Sequence, residues 1–252
     1  NRPLMLANVE PLPLGVGQVR VRMQASGICG AQLAEIRGEK GNAKFLPHLL
    51  GHEGCGMVEE IGAGVTRVKA GDKVVLHWRK ASGIESDFPR YQFDGREIQS
   101  GKVVTFAEMV TVSENRVTPV PLDTPRELAS LLGCGLSTAL ATLQHEAGFA
   151  AGESLLVIGA GGLGLNLLRA AKLFHATPAV CIDIHEGKRP LVETTGAEYI
   201  CGGVPSQKFD VVVDTVGSAE TFALACRFLG HSGRFIIAGI SRAVLGCPII
   251  IN

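Results

Sequence analysis

Leu155-Leu156-Val157-Ile158-Gly159-Ala160-Gly161-Gly162-Leu163-Gly164-Leu165-Asn166-Leu167-Leu168-Arg169-Ala170-Ala171-Lys172-Leu173-Phe174 decides the fold of this chain. Four aliphatic residues ending in glycine read as a buried strand, and the apolar repeat from Leu165 to Phe174 reads as the helix that packs on it. Gly159-x-Gly161-x-x-Gly164 links the two. The first glycine permits a tight turn, the second lets backbone approach a pyrophosphate, and the third lets helix and strand pack closely.

Working outward, the strand Ala179 to Asp183 follows the helix and ends on a carboxylate nineteen positions after Gly164. An acidic residue there accepts hydrogen bonds from the ribose hydroxyls of a dinucleotide and repels a 2′-phosphate, so NAD is expected over NADP. Lys188 and Arg189 soften that choice if they face the ribose; the plainer reading makes them a solvated helix face and Asp183 a cap for the Glu186 segment. Further buried-strand runs occur at Asp210 to Asp214 and Arg234 to Ile237. Strands alternating with helices predict a doubly wound parallel sheet for residues 126–252.

One segment strains that pattern. Only nine residues, Cys201 to Phe209, lie between the strand ending near Ile200 and the next, whereas a parallel crossover takes about a dozen or more. Either these strands are not parallel neighbours or residues are missing, and the second alternative is the one favoured by spacing.

Residues 1–125 have a different character. Gln18 to Met23 alternates polar and apolar, and Gly56 to Ile61 and Lys73 to Leu76 read as further strands between glycine-rich turns, predicting a barrel-like β domain. From Thr124 the chain turns helical, with Pro125 to Leu132 and Leu136 to Ala147 as helices and Thr124 as cap before a first-turn proline.

Gly51-His52-Glu53-x-x-Gly56, continuing to Gly62 and Val65 and followed by Gly71-Asp72-Lys73-Val74, resembles the signature of the zinc-containing medium-chain alcohol dehydrogenases. With the glycine fingerprint, the resemblance runs from about Gln18 to Gly239. It implies a GroES-like β domain, here without its C-terminal return segment, plus a Rossmann domain with the active site in the cleft between them. It further implies that Cys29, His52 and Cys134 hold one catalytic zinc, with Glu53 a close carboxylate or intermittent fourth ligand. Two thiolates and one imidazole, leaving a position open, are the donor set of a catalytic rather than a structural zinc. Thr215 to Gly217 and Gly239 to Ser241 are placed at the nicotinamide by the same resemblance. The implied reaction is hydride transfer between NAD(H) and a secondary alcohol or its ketone.

The chain departs from that family in three places. Arg79 to Val104, where many members carry four cysteines for a structural zinc, has none, so one zinc per chain is expected. Ala31 stands where a proton-relaying Ser or Thr is usual, and alanine has no hydroxyl. Gln32 replaces the usual aspartate behind the zinc-bound histidine; its amide oxygen still accepts a hydrogen bond. The missing relay hydroxyl points to a substrate that brings its own, such as a sugar, polyol or cyclitol, or to a proton path through Glu53. Trp78 is expected in the substrate pocket wall, the alternative being an ordinary buried aromatic.

Twenty-four basic residues balance 24 acidic ones, which argues against nucleic acid or an anionic membrane surface as partner. No stretch approaches the ~20 apolar residues of a membrane span, and the cysteines lack disulfide spacing, so a cytoplasmic location is expected. Cys55, Cys181, Cys201, Cys226 and Cys247 read as core residues, and His48, His145, His175, His185 and His231 as structural or surface ones. The apolar run Pro248 to Ile251 suggests an edge strand pairing with a second copy, hence a homodimer or homotetramer. Two other functions stay open: a zinc-free quinone or enone reductase of the same superfamily, and a non-catalytic dinucleotide-binding redox sensor.

Overall fold

The computed structural model describes residues 4–39 and 49–239. Contacts divide the chain into two units, Asn1–Cys134 and Gly135–Asn252, so the division falls after Cys134 and not after residue 125. The reason is local: the short helix that follows residue 125 packs on strands of the first unit.

In the first unit the strands are β1 (Glu10–Pro11), β2 (Gln18–Ser26), β3 (Glu53–Ile61), β4 (Lys73–His77), β5 (Arg90–Phe93), β6 (Arg96–Gln99), β7 (Met109–Ser113) and β8 (Val117–Pro119). Five form an antiparallel sheet in the order β7-β2-β3-β4-β8, and β1-β5-β6 form a smaller one. Alternation sets the core. Val19 and Val21 of β2 meet Val110 and Val112 of β7, and with Val74, Leu76 and Tyr91 they are fully buried. Removing each such side chain from water contributes about 1.5–3 kcal/mol.

Two helices belong to this unit, α1 (Gly30–Ile36) and α2 (Arg126–Leu131). The expected first-turn proline is corrected here. Pro125 has ψ 131°, an extended backbone, and is itself the cap residue from which α2 starts at Arg126.

The second unit holds β9 (Leu155–Ile158), β10 (Ala179–Asp183), β11 (Glu198–Cys201), β12 (Phe209–Asp214) and β13 (Leu229–Ile237), with α3 (Gly135–Ala141), α4 (Gly162–Leu173), α5 (Arg189–Glu193) and α6 (Ala219–Phe228). The expected helix from Leu136 to Ala147 is α3 continued by a wider turn over Thr142–Glu146. All five strands are parallel, in the order β11-β10-β9-β12-β13. The order reverses between β9 and β12. That is the doubly wound arrangement expected, with ligands bound beyond the carboxyl ends of the strands.

The short connection 202–208 joins two parallel strands that are not neighbours, since β10 and β9 lie between β11 and β12. Crossing three strand spacings takes about 14 Å and returning along a four-residue strand about 13 Å, a direct path of about 19 Å. Eight residue steps reach about 26–29 Å. A nearly extended chain therefore suffices, and no helix fits.

Candidate functional site

Cys29, His52 and Cys134 come together in the first unit, with their ligand atoms all within 4.8 Å of one another. Each arrives by a different local rule. Cys29 is the extended residue that starts α1, with φ −95° and ψ 151°, and its carbonyl accepts the Gln32 N–H at 2.9 Å. His52 precedes β3. Cys134 follows Gly133, where a Cβ would stand 2.2 Å from the Leu76 carbonyl oxygen and 3.0 Å from the Glu53 Cβ. Only glycine brings the chain that close to β3 and β4.

The group favours charge on sulfur. Hydrogen bonds from Cys134 and from His52 pull the Cys29 thiol down to about 4, against burial and helped by the Ala31 N–H. A thiolate is the form that binds metal.

His52 is oriented from behind. Its Nδ1 lies 3.3 Å from Gln32 Oε1, which also accepts the Gly51 N–H at 2.7 Å. With Nδ1–H donating there, Nε2 keeps its lone pair for a metal. Gln32 Nε2 donates in turn to Glu35 Oε2 at 2.7 Å, and Gln32 is 1% exposed.

The Glu53 carboxylate is buried and lies outside the three-ligand group. It sits against Gly27, where a Cβ would approach its Cδ to 2.7 Å. Ala31 is a half-buried residue of α1. Trp78 follows β4 with 49% of its surface exposed, and the Arg79 guanidinium lies 5.6 Å from its ring centre. The Arg116 guanidinium also donates to the Trp78 carbonyl.

The segment where a second metal lobe was sought is held by charge. Glu85 pairs with Arg116 at 3.1 Å, Lys102 at 3.1 Å and Lys80 at 3.9 Å, and accepts the Asn115 amide at 2.9 Å. Chiefly through Asn115, then Lys102 and Arg116, its pKa falls to about 2 despite partial burial.

In the second unit the glycine turn closes on itself. Gly159 has φ +98°, and a Cβ on Gly164 would lie 1.9 Å from the Gly159 carbonyl oxygen. Around Gly161 and Gly162 a Cβ would meet nothing within 4 Å, an open cradle at the start of α4. Leu163 is half-buried on that helix. The Thr215 hydroxyl donates to the carbonyls of Ile158 and Gly159, at 2.9 and 3.1 Å. Gly217 N–H donates to Asp214 Oδ1 at 3.1 Å, and Gly239 packs against Val216 and Gly217. Gly159, Thr215, Gly217 and Gly239 thus share the carboxyl ends of β9, β12 and β13. Ser241, His48, Cys247 and Pro248 to Ile251 lie outside the described residues.

Asp183 ends β10 with four donors on it: the Ala160 N–H at 2.8 Å, Lys188 Nζ at 2.6 Å, and the His185 N–H and Nδ1, each at 3.0 Å. Burial works to raise its pKa, but Lys188, Ala160 and His185 together outweigh burial and keep it ionised, below the usual carboxylate range. Lys188 therefore faces the carboxylate. Arg189 instead pairs with Glu186 and Glu193 and lies over Tyr199. Sequence reading left His185 as a structural or surface residue; its place two positions after Asp183 was the signal.

An antiparallel β unit that brings two cysteines and a histidine together, and a separate doubly wound parallel sheet, define the fold class of the alcohol dehydrogenases. Residues 15–122 match the family described as alcohol dehydrogenase GroES-like domain. The match covers most of the first unit, and the relatives are alcohol dehydrogenases and an S-(hydroxymethyl)glutathione dehydrogenase at 27–29% identity. It is 29% identical over 219 residues to alcohol dehydrogenase 6 of Peromyscus maniculatus, covering 77% of this chain and 58% of that protein. It is 28% identical over 255 residues to S-(hydroxymethyl)glutathione dehydrogenase of Aspergillus oryzae, covering 89% and 65%. This chain thus spans less than two thirds of either relative. The crystal structure of benzyl alcohol dehydrogenase from Acinetobacter calcoaceticus has the same fold, with a TM-score of 0.83 at 24% identity over 96% of this chain and 75% of that one. Among the described residues no helix is long and apolar enough to cross a membrane.

Proposed function

We propose that this chain is the zinc- and NAD(H)-dependent part of an oxidoreductase that interconverts a secondary alcohol and its ketone, with a sugar, polyol or cyclitol as the preferred substrate class. The observation that carries the reading is the gathering of Cys29, His52 and Cys134. Three donors of this type suit zinc with a position left for substrate.

Zinc, when bound, supplies a Lewis acid for the substrate oxygen, and the dinucleotide supplies the hydride carrier. The protein's own share is positioning. Gln32 fixes the His52 ring so that Nε2 is the donor, and the Ala31 N–H with the two neighbouring ligands favours the Cys29 thiolate. Gly161 and Gly162 leave backbone open for a pyrophosphate at the start of α4, while Asp183 is ionised to meet ribose hydroxyls. Without a hydroxyl on Ala31, the buried Glu53 carboxylate takes the alcohol proton, directly or through water. Trp78 serves as a wall of the substrate pocket, and the protein acts as a homo-oligomer.

Metal analysis combined with a screen for NAD and NADP reduction over secondary alcohols and polyols tests this reading. Zinc with NAD-linked turnover supports it. Turnover of quinones or enones by metal-free protein would replace it.

A further inference from the structure

A glutamine amide fits a buried slot either way round. Turned over about its last bond, it exchanges an acceptor oxygen for a donor NH2 with little change of shape, and Gln32 is buried from the water that would serve either end. The orientation decides what His52 can do. With Oε1 toward the imidazole, Nδ1–H donates and Nε2 keeps a lone pair. Turned over, the amide would offer N–H to Nδ1, leave the ring proton on Nε2, and set its donors against the Gly51 N–H that Oε1 accepts.

Two partners of fixed sense hold the amide in the first orientation. The Gly51 N–H only donates, and it lies 2.7 Å from Oε1. The Glu35 carboxylate only accepts, and its Oε2 lies 2.7 Å from Gln32 Nε2. Glu35 is a half-buried residue of α1, three positions after Gln32, the spacing that puts two side chains on one helix face. That helix starts on a ligand, since the Cys29 carbonyl accepts the Gln32 N–H at 2.9 Å. One element therefore carries a metal-binding thiol, the amide behind the metal-binding imidazole, and the carboxylate behind the amide.

The carboxylate also acts along the chain of bonds. A hydrogen bond to an ionised acceptor is stronger than one between neutral groups, and hydrogen bonds in series polarise one another. Glu35 thereby makes Gln32 Oε1 a better acceptor, and the imidazole that donates to it a better ligand.

We propose that Glu35 is a positioning residue of the metal centre: by accepting from Gln32 Nε2 it locks the amide with Oε1 toward His52, and so holds the imidazole in the form whose Nε2 binds zinc. The proposal rests on reading Cys29, His52 and Cys134 as a zinc site.

Zinc affinity of the full chain, measured by competition with a chromophoric chelator, tests the proposal on wild type, Glu35→Ala, Glu35→Gln, Glu35→Lys, Gln32→Ala and the double variant Gln32→Ala/Glu35→Ala. The Tm of each metal-free protein measures any purely structural effect. Glu35→Ala is expected to weaken zinc by roughly five-fold with little change in metal-free Tm. Glu35→Gln can turn its own carbonyl toward Gln32 Nε2 and is expected to stay within about two-fold of wild type. Glu35→Lys, a donor only, is expected to bind zinc no better than Glu35→Ala. In the Gln32→Ala background the loss of Glu35 is expected to weaken zinc no further. Wild-type affinity in Glu35→Ala, equal affinities in Glu35→Gln and Glu35→Lys, or the same loss repeated in the Gln32→Ala background each overturn the proposal while wild type still binds zinc. A fall in metal-free Tm that follows the loss of zinc across the three Glu35 variants overturns it in favour of a plain helix contact. If wild type binds no zinc, the zinc reading fails and the proposal with it.

Discussion

Gln32 Oε1 lies 3.3 Å from His52 Nδ1 and also accepts the Gly51 N–H at 2.7 Å. One buried amide oxygen thus holds both the His52 ring and the backbone immediately before it. Gln32→Ala removes the acceptor and leaves a buried N–H unpaired. Groups that orient metal ligands are typically worth 10–100-fold in metal affinity, so this variant is expected to lose zinc to a chelator at roughly ten-fold lower chelator concentration than wild type. Gln32→Glu restores an acceptor and is expected to recover most of the loss. Equal chelator sensitivity in Gln32→Ala and wild type would show that the contact does no orienting.

Acid stability should depend on Glu85. Its pKa in the fold, about 2, lies below the ordinary glutamate value of 4.5, so ionised Glu85 stabilises the fold fully above about pH 4.5 and loses that contribution as pH falls toward 2. Glu85→Gln is expected to lower Tm near neutral pH and to flatten the fall of Tm through that acid window. A parallel displacement of the two Tm profiles at every pH would assign the loss to something other than this titration.

The fold was legible where period and glycine placement agree. Leu155 to Ile158 and Ala179 to Asp183 are β9 and β10 as read, because a short aliphatic run bounded by glycine or ending on an acidic residue leaves little choice. The start of α2 was misplaced by one residue, since φ of proline fits both a first-turn and a capping position and ψ alone separates them. For the connection 202–208 the sequence left two alternatives, and only the sheet shows that its strands are parallel but not neighbours, because strand order is a property of the sheet and not of the segment. At the sites, the residue behind His52, Gln32, was visible through the family resemblance. The contact of His185 with Asp183 was signalled by its place two positions on, but was not read.

Proton transfer is where Ala31, which has no hydroxyl, bears on the proposed reaction. If Glu53 takes the proton, Glu53→Gln is expected to reduce kcat by roughly 100-fold or more with zinc retained. Ala31→Ser is expected to raise turnover of simple secondary alcohols that carry no second hydroxyl. A Glu53→Gln enzyme with zinc bound and wild-type kcat, together with an Ala31→Ser enzyme unchanged across the pH profile, would remove both residues from the proton path.

The central claim, that Cys29, His52 and Cys134 form a single catalytic metal centre, is tested most directly by zinc content per chain, measured by elemental analysis on wild type, Cys29→Ala and Cys134→Ala. The account predicts close to one zinc in wild type and loss of that zinc in both variants, each still binding adenosine 5′-monophosphate. Two zincs in wild type, or a Cys134→Ala protein that keeps wild-type zinc, would contradict it.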